Sequence, residues 1–238
     1  MEKKATTQIL KKTWDTDDEL FHLVRKELYT AVVGDIMDRL GFLNQFLPPA
    51  IKPLRQDMFT IGRAMPVLEA DVLAGSGLHN SLLKKPFGLM LDALDDLKKN
   101  EVYICTGASP DYALWGELMT ARAVKLGAAG AVVDGYSRDT HGILKMNFPT
   151  FSYGFYAKDQ APRGKVIDFR VPIEIKTVRI NPGDIILGDV DGVCVVPKEA
   201  EEEIFCRAFE KTRGEKTVQM KIEEGMSARE AYDLYGIM

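Results

Sequence analysis

The chain of 238 residues carries a formal net charge of −4 at pH 7, and 46% of its residues are hydrophobic and 28% are charged. This composition is typical of a folded globular protein. A slightly acidic chain without a basic stripe is not expected to bind nucleic acid, and no apolar run approaches the roughly 18 residues of a membrane helix.

The three cysteines indicate a reducing compartment. Cys105, Cys194 and Cys206 are far apart, and the first two lie in apolar runs, which favours buried free thiols over disulfides. The charged first residues are followed by no apolar segment that would make a secretory signal. We therefore expect a cytoplasmic protein with neither nucleic acid nor a membrane as its direct partner.

The N-terminal segment predicts two helices. Residues 16–19, Thr-Asp-Asp-Glu, form a capping box, and apolar residues follow at roughly helical spacing. Thr30 is expected to cap a second helix that stops at Gly41. Strand-like apolar runs then begin at 59–61 and 64–68.

The middle of the chain alternates strand-like runs with helices. Residues 71–85 contain glycines and lysines typical of a mobile surface stretch, and a polar helix is predicted near 89–97. A helix over 117–126 is expected to end at Gly127. Short apolar runs predict strands at 102–105, 131–134, 150–153, 165–168, 171–175, 185–187 and 193–196.

The C-terminal tail predicts a long charged helix from 198 to about 224, which Gly225 breaks. A second capping box at 227–230 begins a short helix that Gly236 ends.

A proline-containing linker is predicted at 47–50, but no linker is strong enough to divide the chain into domains. We therefore predict a single α/β domain over residues 1–238. Its core is expected to span about 30–197, with helical arms at 16–40 and 198–238.

A glycine turn before the predicted 117–126 helix is the first candidate for chemistry. Gly116 permits close backbone approach, and the amides of Glu117, Leu118 and Met119 are first-turn donors with no intrahelical partner. Such a helix end binds carboxylates or phosphates. Taken alone, Gly116 is better explained by a tight turn with no ligand.

The pair Arg138–Asp139 is the second candidate, and twenty residues separate it from Glu117. Asp139 offers hard oxygen ligands, and Mg²⁺ commonly takes one or two protein carboxylates and keeps several waters. Glu117 is then placed to hold or deprotonate one of those waters. A solvated surface turn is the alternative, but the end of a buried strand at 131–134 favours function, because open α/β sheets bind ligands there.

Other polar positions have simpler interpretations. Residues 188–193 lack the twelve-residue Ca²⁺ pattern and predict a hairpin turn. Asp35 and Asp38 are interpreted as surface or subunit-contact groups, and His141 as a loop residue. No glycine-rich dinucleotide fingerprint, Walker loop or nucleophilic triad is present.

Three motifs together resemble a known family. They are Gly-Glu-Leu-Met at 116–119, the run from 127 to 139 that ends in Arg-Asp, and the segment 182–197. From about residue 30 to 197 the chain resembles the ribonuclease E activity regulator A / 4-hydroxy-4-methyl-2-oxoglutarate aldolase family. The resemblance implies a layered α/β sandwich of the swivelling phosphohistidine-domain type, assembled as a homotrimer or a hexamer.

The resemblance also implies roles for site residues. In aldolase members the glycine-acid-leucine turn binds the pyruvyl carboxylate through backbone amides, which maps to residues 116–119. The arginine, here Arg138, contacts substrate, and the aspartate, here Asp139, binds Mg²⁺ or Mn²⁺. The acid at Glu117, more often aspartate, marks aldolase-competent members, and ribonuclease regulators tend to lack it.

We therefore expect a divalent-metal-dependent lyase of the class II aldolase type, with Glu117 and Arg138 catalytic. Its expected substrate is a 4-hydroxy-2-oxo diacid such as 4-hydroxy-4-methyl-2-oxoglutarate, cleaved to pyruvate, and the same chemistry permits oxaloacetate decarboxylation. One alternative is another metal-dependent lyase or dehydratase on a sugar-derived acid, because the 71–100 segment and the C-terminal arm are longer than usual in the family. The other is a non-catalytic protein that regulates a ribonuclease.

Overall fold

The computed structural model describes residues 12–73 and 79–236, and the described chain opens with helix α1 (Asp17–Glu27). The predicted capping box is present. The Thr16 side chain accepts a hydrogen bond from the Glu19 amide, and the Glu19 side chain accepts one from the Thr16 amide. The helix therefore begins where its local sequence predicts.

Helix α2 (Thr30–Arg39) differs from the prediction at its first residue. Thr30 was expected to be the cap, but Tyr29 occupies that position. The Thr30 amide and hydroxyl both donate to the Asp189 carboxylate, each at 2.7 Å. The first residue of this helix thus donates its hydrogen bonds to a carboxylate that is distant in the sequence.

The strands form one large sheet and two small ones. In the described residues the large sheet contains β1 (Lys52–Pro53), β2 (Thr60–Asp71), β3 (Glu101–Thr106), β5 (Gly130–Val133), β7 (Thr150–Ser152), β8 (Gly164–Phe169), β11 (Ile185–Gly188) and β12 (Val193–Val196). The small sheets pair β4 (Ala113–Trp115) with β6 (Tyr136–Ser137), and β9 (Ile173–Ile175) with β10 (Val178–Ile180).

The large sheet has the order β1-β7-β5-β3-β2-β11-β12, and β8 pairs with the second half of β2. Strands β7, β5, β3 and β2 are parallel, whereas β1, β8, β11 and β12 are antiparallel to their neighbours. The two predicted runs at 59–61 and 64–68 are one strand, β2. Arg63 interrupts their apolar pattern because it forms ion pairs with Asp17 and Glu201 at the sheet's surface.

Helices cover one face of the sheet. The remaining helices are α3 (Ser81–Lys84), α4 (Met90–Asp96), α5 (Glu117–Leu126), α6 (Thr140–Lys145), a 3₁₀ turn (Lys198–Ala200), α7 (Glu201–Glu223) and α8 (Ala228–Tyr235). Because strand side chains alternate, Tyr103 and Cys105 pack among residues of α4, α5 and α6, and Val102 and Ile104 pack with the β9–β10 hairpin. Helices α1, α2 and α7 cover the β11–β12 end.

The fold is mixed α/β with helices at both ends, as predicted. The three cysteines are buried and free, and α8 begins at the predicted Ser227 capping box. The short strands β1, β4, β6 and β10 were not predicted, and His141 lies in α6 instead of a loop. Of the predicted surface stretch 71–85, residues 74–78 lie outside the described residues, and 81–84 form α3. No described helix is long and apolar enough to cross a bilayer.

Candidate functional site

A parallel pair of very short strands brings the two predicted motifs together. Trp115, the last residue of β4, pairs with Ser137, the last residue of β6. The Arg138 amide then donates to the Trp115 carbonyl at 2.8 Å. Because the strands are parallel, the chain leaves both at the same end, with Gly116 beside Asp139.

This arrangement corrects one expectation. Arg138–Asp139 was predicted to follow the strand at 131–134 directly, but β5 ends at Val133 and β6 intervenes. The motif lies at the end of the small β4–β6 sheet and not at the edge of the large one.

Gly116 begins α5 with extended backbone, and no side chain caps the helix. The Gly116 carbonyl accepts from both the amide and the hydroxyl of Thr120, each at 3.0 Å. Trp115 Nε1 donates to the same hydroxyl at 2.8 Å, which anchors the turn in the core. The first-turn amides of residues 117–119 are the donors that an uncapped helix leaves for an external acceptor.

Asp139 lies against this turn. A Cβ built on Gly116 would lie only 2.9 Å from Asp139 Oδ2, so a side chain at 116 would push the carboxylate away. Asp139 itself adopts a left-handed conformation with φ 55° and ψ 34°. Such backbone is uncommon in residues other than glycine, and where it persists it is often at a functional site.

Arg138 lies between two carboxylates. Its Nε is 3.5 Å from Asp139 Oδ2, and its Nη1 is 3.0 Å from Asp159 Oδ1. All three side chains remain partly exposed. The guanidinium is therefore held in place and still open to solvent and to a ligand.

These groups line a pocket of about 160 Å³. Four of the five predicted substrate-binding residues contribute to it, namely Gly116, Leu118, Met119 and Arg138, together with the predicted metal ligand Asp139. The lining residues that the sequence did not predict are Phe87, Met90, Ala113, Leu114, Trp115, Asp159 and Gln160.

Glu117 is the predicted site residue that does not line this pocket. Its side chain is exposed and lies over Gly142 in α6, where an added Cβ would come within 2.1 Å of Glu117 Cδ. The carboxylate therefore lies beside the pocket, and α6 positions it.

A buried acid supports the back of the pocket. Gln160 is almost fully buried, and its Nε2 donates to Glu69 Oε2. Burial raises the pKa of Glu69 to about 8. The position of Glu69 inside the apolar run of β2 could have identified it from the sequence. Asp159 and Gln160 could not be identified in this way, because they lie in a loop without a recognisable pattern.

The donor set decides whether a divalent metal fits. No cluster of three or more His, Cys, Asp or Glu side chains with suitable spacing occurs within 12–73 and 79–236. The exposed Asp139 carboxylate suits a hard cation that keeps several waters, as Mg²⁺ does.

Comparison with known proteins identifies the family. A family model described as RraA-like, Aldolase/RraA, matches residues 30–195. The chain belongs to the RraA-like family. Its uncapped α5 turn and Arg138–Asp139 pair both fall inside the matched region.

The relatives of this RraA-like chain include proteins that carry an aldolase name. It is 32% identical over 209 residues to a Halalkalibacterium halodurans protein with the provisional name 4-hydroxy-4-methyl-2-oxoglutarate aldolase, covering 85% of this chain and 89% of that protein. It is 29% identical over 208 residues to protein DlpA of Legionella pneumophila. That match covers 87% of this chain but spans only 32% of DlpA.

A solved structure shares the fold. A crystal structure described as novel cellulases from gut-associated microbes superposes with a TM-score of 0.77 and 35% identity, covering 87% of this chain and 90% of that one. The mixed α/β architecture is therefore one that an experimental structure also shows.

Proposed function

We propose that this RraA-like protein is a divalent-metal-dependent lyase of the class II aldolase type, which cleaves a 4-hydroxy-2-oxo acid and releases pyruvate. The observation that carries the proposal is the meeting of an uncapped helix N-terminus with Arg138 and Asp139 at one pocket. The name of the Halalkalibacterium halodurans relative supports it and makes 4-hydroxy-4-methyl-2-oxoglutarate the first substrate to test.

The α5 turn is suited to the carboxylate of a 2-oxo acid. Three first-turn amides and the positive end of the helix dipole favour an anion there. Because backbone groups make this contact, it depends on Gly116 and on the turn and less on the side chains at 117–119. The pyruvyl half of the substrate would thus be fixed beside Asp139 and Arg138.

Arg138 is placed to stabilise the negative charge that develops during cleavage. When the C3–C4 bond breaks, its electron pair becomes a pyruvate enolate with charge on the former keto oxygen. A guanidinium has five N–H donors, so contact with Asp139 and Asp159 still leaves donors for that oxygen. A metal held by Asp139 would supply additional Lewis-acid polarisation of the same oxygen.

Glu117 is the proposed general base for the C4 hydroxyl proton. Its carboxylate is exposed, and its chain neighbours Gly116 and Leu118 both line the pocket; the proposed role requires it to reach the hydroxyl directly or through one water. The proton it removes allows C4 to become a carbonyl, and the enolate is then protonated at C3 to give pyruvate. Oxaloacetate decarboxylation passes through the same enolate, so we propose it as a side activity.

The assembly is a separate part of the proposal. We propose a closed homotrimer, or a hexamer built from trimers, with the α1–α2 and α7–α8 arms as contacts between subunits. Light scattering at micromolar concentration tests it, and a monomer would contradict it. The relation to swivelling phosphohistidine domains stays a prediction.

The activity test uses the full chain freed of metal with EDTA. Pyruvate release from 4-hydroxy-2-oxo acids is followed in a coupled assay, before and after addition of Mg²⁺ or Mn²⁺. We expect no turnover in chelator and recovery with metal, and Asp139→Asn should lose that recovery while its circular dichroism spectrum is unchanged.

Four results would contradict the proposal. Full turnover in excess chelator would exclude the metal-dependent mechanism. Tight binding to a ribonuclease with no oxo-acid cleavage would favour a regulator, and hydrolysis of a soluble cellulose or turnover confined to sugar-derived acids would indicate a different enzyme.

A further inference from the structure

Much of the pocket wall is apolar, and the polar groups are Arg138, Asp139, Asp159 and Gln160. Phe87 and Met90 come from the 71–100 segment, and Leu118 and Met119 from the first turn of α5. Leu118 is 84% exposed at the rim of the pocket. A substrate anchored by its 2-oxo carboxylate would meet these side chains with its distal end.

The charges at the pocket are few and can be counted. Among the described lining residues, Arg138 is the one cation, and Asp139 and Asp159 are the two anions. A divalent metal would bring the lining groups to a net charge of about +1, and the Glu117 carboxylate beside the pocket lowers the sum to about zero. The α5 turn is then the partner for one substrate carboxylate. A second carboxylate on the same substrate would face an excess of negative charge.

Two cations near the pocket are engaged elsewhere. Lys165, behind the Phe87 wall, is buried and donates from Nζ to the backbone carbonyls of Lys85 and Pro86, at 2.6 and 2.9 Å. On α5, Arg122 pairs with Asp95 at 2.7 Å. Residues 74–78 read Ala-Gly-Ser-Gly-Leu and contain no cation.

We infer that the site prefers a 4-hydroxy-2-oxo monocarboxylate with an apolar substituent at C4 to a dicarboxylate. The inference rests on the proposed lyase function and concerns the distal half of that same site. An ionised carboxylate placed against apolar walls without a partner loses its hydration and gains nothing in return, whereas an apolar group buries its surface there.

The reaction is the same retro-aldol cleavage. The C4 hydroxyl loses its proton and becomes a carbonyl, the C3–C4 bond breaks, and C3 takes up a proton. A monocarboxylate thus gives pyruvate and a simple ketone or aldehyde, where a dicarboxylate would give pyruvate and a second oxo acid. No oxidant or other co-reactant is needed.

A matched pair of substrates tests the inference on the full chain with Mg²⁺. In 4-hydroxy-4-methyl-2-oxohexanoate, an ethyl group replaces the distal carboxylate of 4-hydroxy-4-methyl-2-oxoglutarate. We expect kcat/KM to favour the monocarboxylate by about tenfold or more, the scale on which an apolar pocket discriminates. A higher kcat/KM for the dicarboxylate would overturn the inference.

A charge placed at the rim provides the second arm. Leu118→Arg should shift the ratio of the two kcat/KM values toward the dicarboxylate by about tenfold, because the new guanidinium pairs with the distal carboxylate. Val124→Arg places the same charge on an exposed position of α5 that does not line the pocket, so its ratio should equal that of the wild type. If the ratio of the two kcat/KM values is the same in the wild type, Leu118→Arg and Val124→Arg, the distal group of the substrate does not lie beside Leu118.

Exchange of the pyruvate methyl protons with D₂O separates this inference from the proposed function. The exchange reports enolate formation and does not involve a distal group. If exchange depends on the metal but kcat/KM is higher for the dicarboxylate, only the inferred substrate class is overturned. Absence of both exchange and cleavage would overturn the lyase function itself.

Discussion

Glu117 rests its carboxyl group on the bare backbone of Gly142. A methyl group at position 142 would come within 2.1 Å of Glu117 Cδ and 2.3 Å of its Oε1. The catalytic position proposed for Glu117 therefore depends on a missing side chain in a neighbouring helix.

Gly142→Ala should displace the Glu117 carboxylate while leaving the fold intact, because the end of a flexible side chain can move. A displacement of about 1 Å in a catalytic group can cost on the order of 10²-fold in rate, so we expect kcat to fall by tenfold or more. In a Glu117→Gln background the same change should have little further effect, since it acts through Glu117. Additive losses in that double-mutant cycle would contradict this role for Gly142.

Glu117→Gln should itself lower kcat by about 10²-fold or more, the usual contribution of a general base, because the amide cannot accept the proton. Metal binding and the circular dichroism spectrum should not change. Glu117→Asp should retain partial activity, since it keeps a carboxylate at the same position. Wild-type turnover by the glutamine variant would exclude Glu117 as the base.

Arg138→Lys should lower kcat by on the order of 10²-fold, the scale of one lost oxyanion donor. A lysine ammonium cannot contact two carboxylates and a substrate oxygen in the fixed geometry of a guanidinium. Steady-state kinetics separate the effects, and a change confined to KM would mean that Arg138 only anchors substrate. Arg122→Lys is the control. Arg122 lies on α5 and forms an exposed ion pair with Asp95 of α4, so this change should leave kcat and KM unchanged.

Glu69 should make the protein less stable as the pH rises. Burial raises the pKa of this acid from 4.5 to about 8. Between these values the folded protein holds the proton and the unfolded chain has released it, so the unfolding free energy falls by about 1.4 kcal/mol per pH unit from this group. Glu69→Gln should flatten the profile between pH 5 and 8 in urea denaturation. If the unfolding free energies of the wild type and of Glu69→Gln change in parallel with pH, Glu69 is not the group responsible.

Asp189→Ala should destabilise the fold without touching the pocket. It would leave the amide and hydroxyl of the fully buried Thr30 without their acceptor, at a cost of about 3 kcal/mol. Asp191→Ala, an exposed change in the same turn, should cost less than about 0.5 kcal/mol. Similar unfolding free energies for the two variants would refute a structural role for Asp189.

Local signals explain which parts of the fold the sequence predicted. The capping boxes at Thr16 and Ser227 and the left-handed Gly127 each act within a few residues, so the helix ends they determine are readable from the chain. Strands β4 and β6 have three and two residues, too few to show periodicity. They form because Trp115 is anchored in the core and not because of their own pattern.

The same distinction holds for the site. Gly116, Arg138 and Asp139 were recognisable from residue type and from the spacing between motifs. Asp159 and Gln160 were not, because only tertiary packing brings their loop against Arg138 and Glu69. The direction of the Glu117 side chain was equally unreadable, since it depends on the empty space above Gly142.

The bond between Thr30 and Asp189 also has a consequence for biosynthesis. The two residues are 159 positions apart, and a ribosome that adds about 5–20 residues per second needs on the order of ten seconds or more to make the intervening chain. Helix α2 therefore leaves the ribosome without the carboxylate that completes its first turn. Its apolar face stays without its β11–β12 support over that interval, so nascent chains stalled before residue 189 should be a preferred target for chaperones.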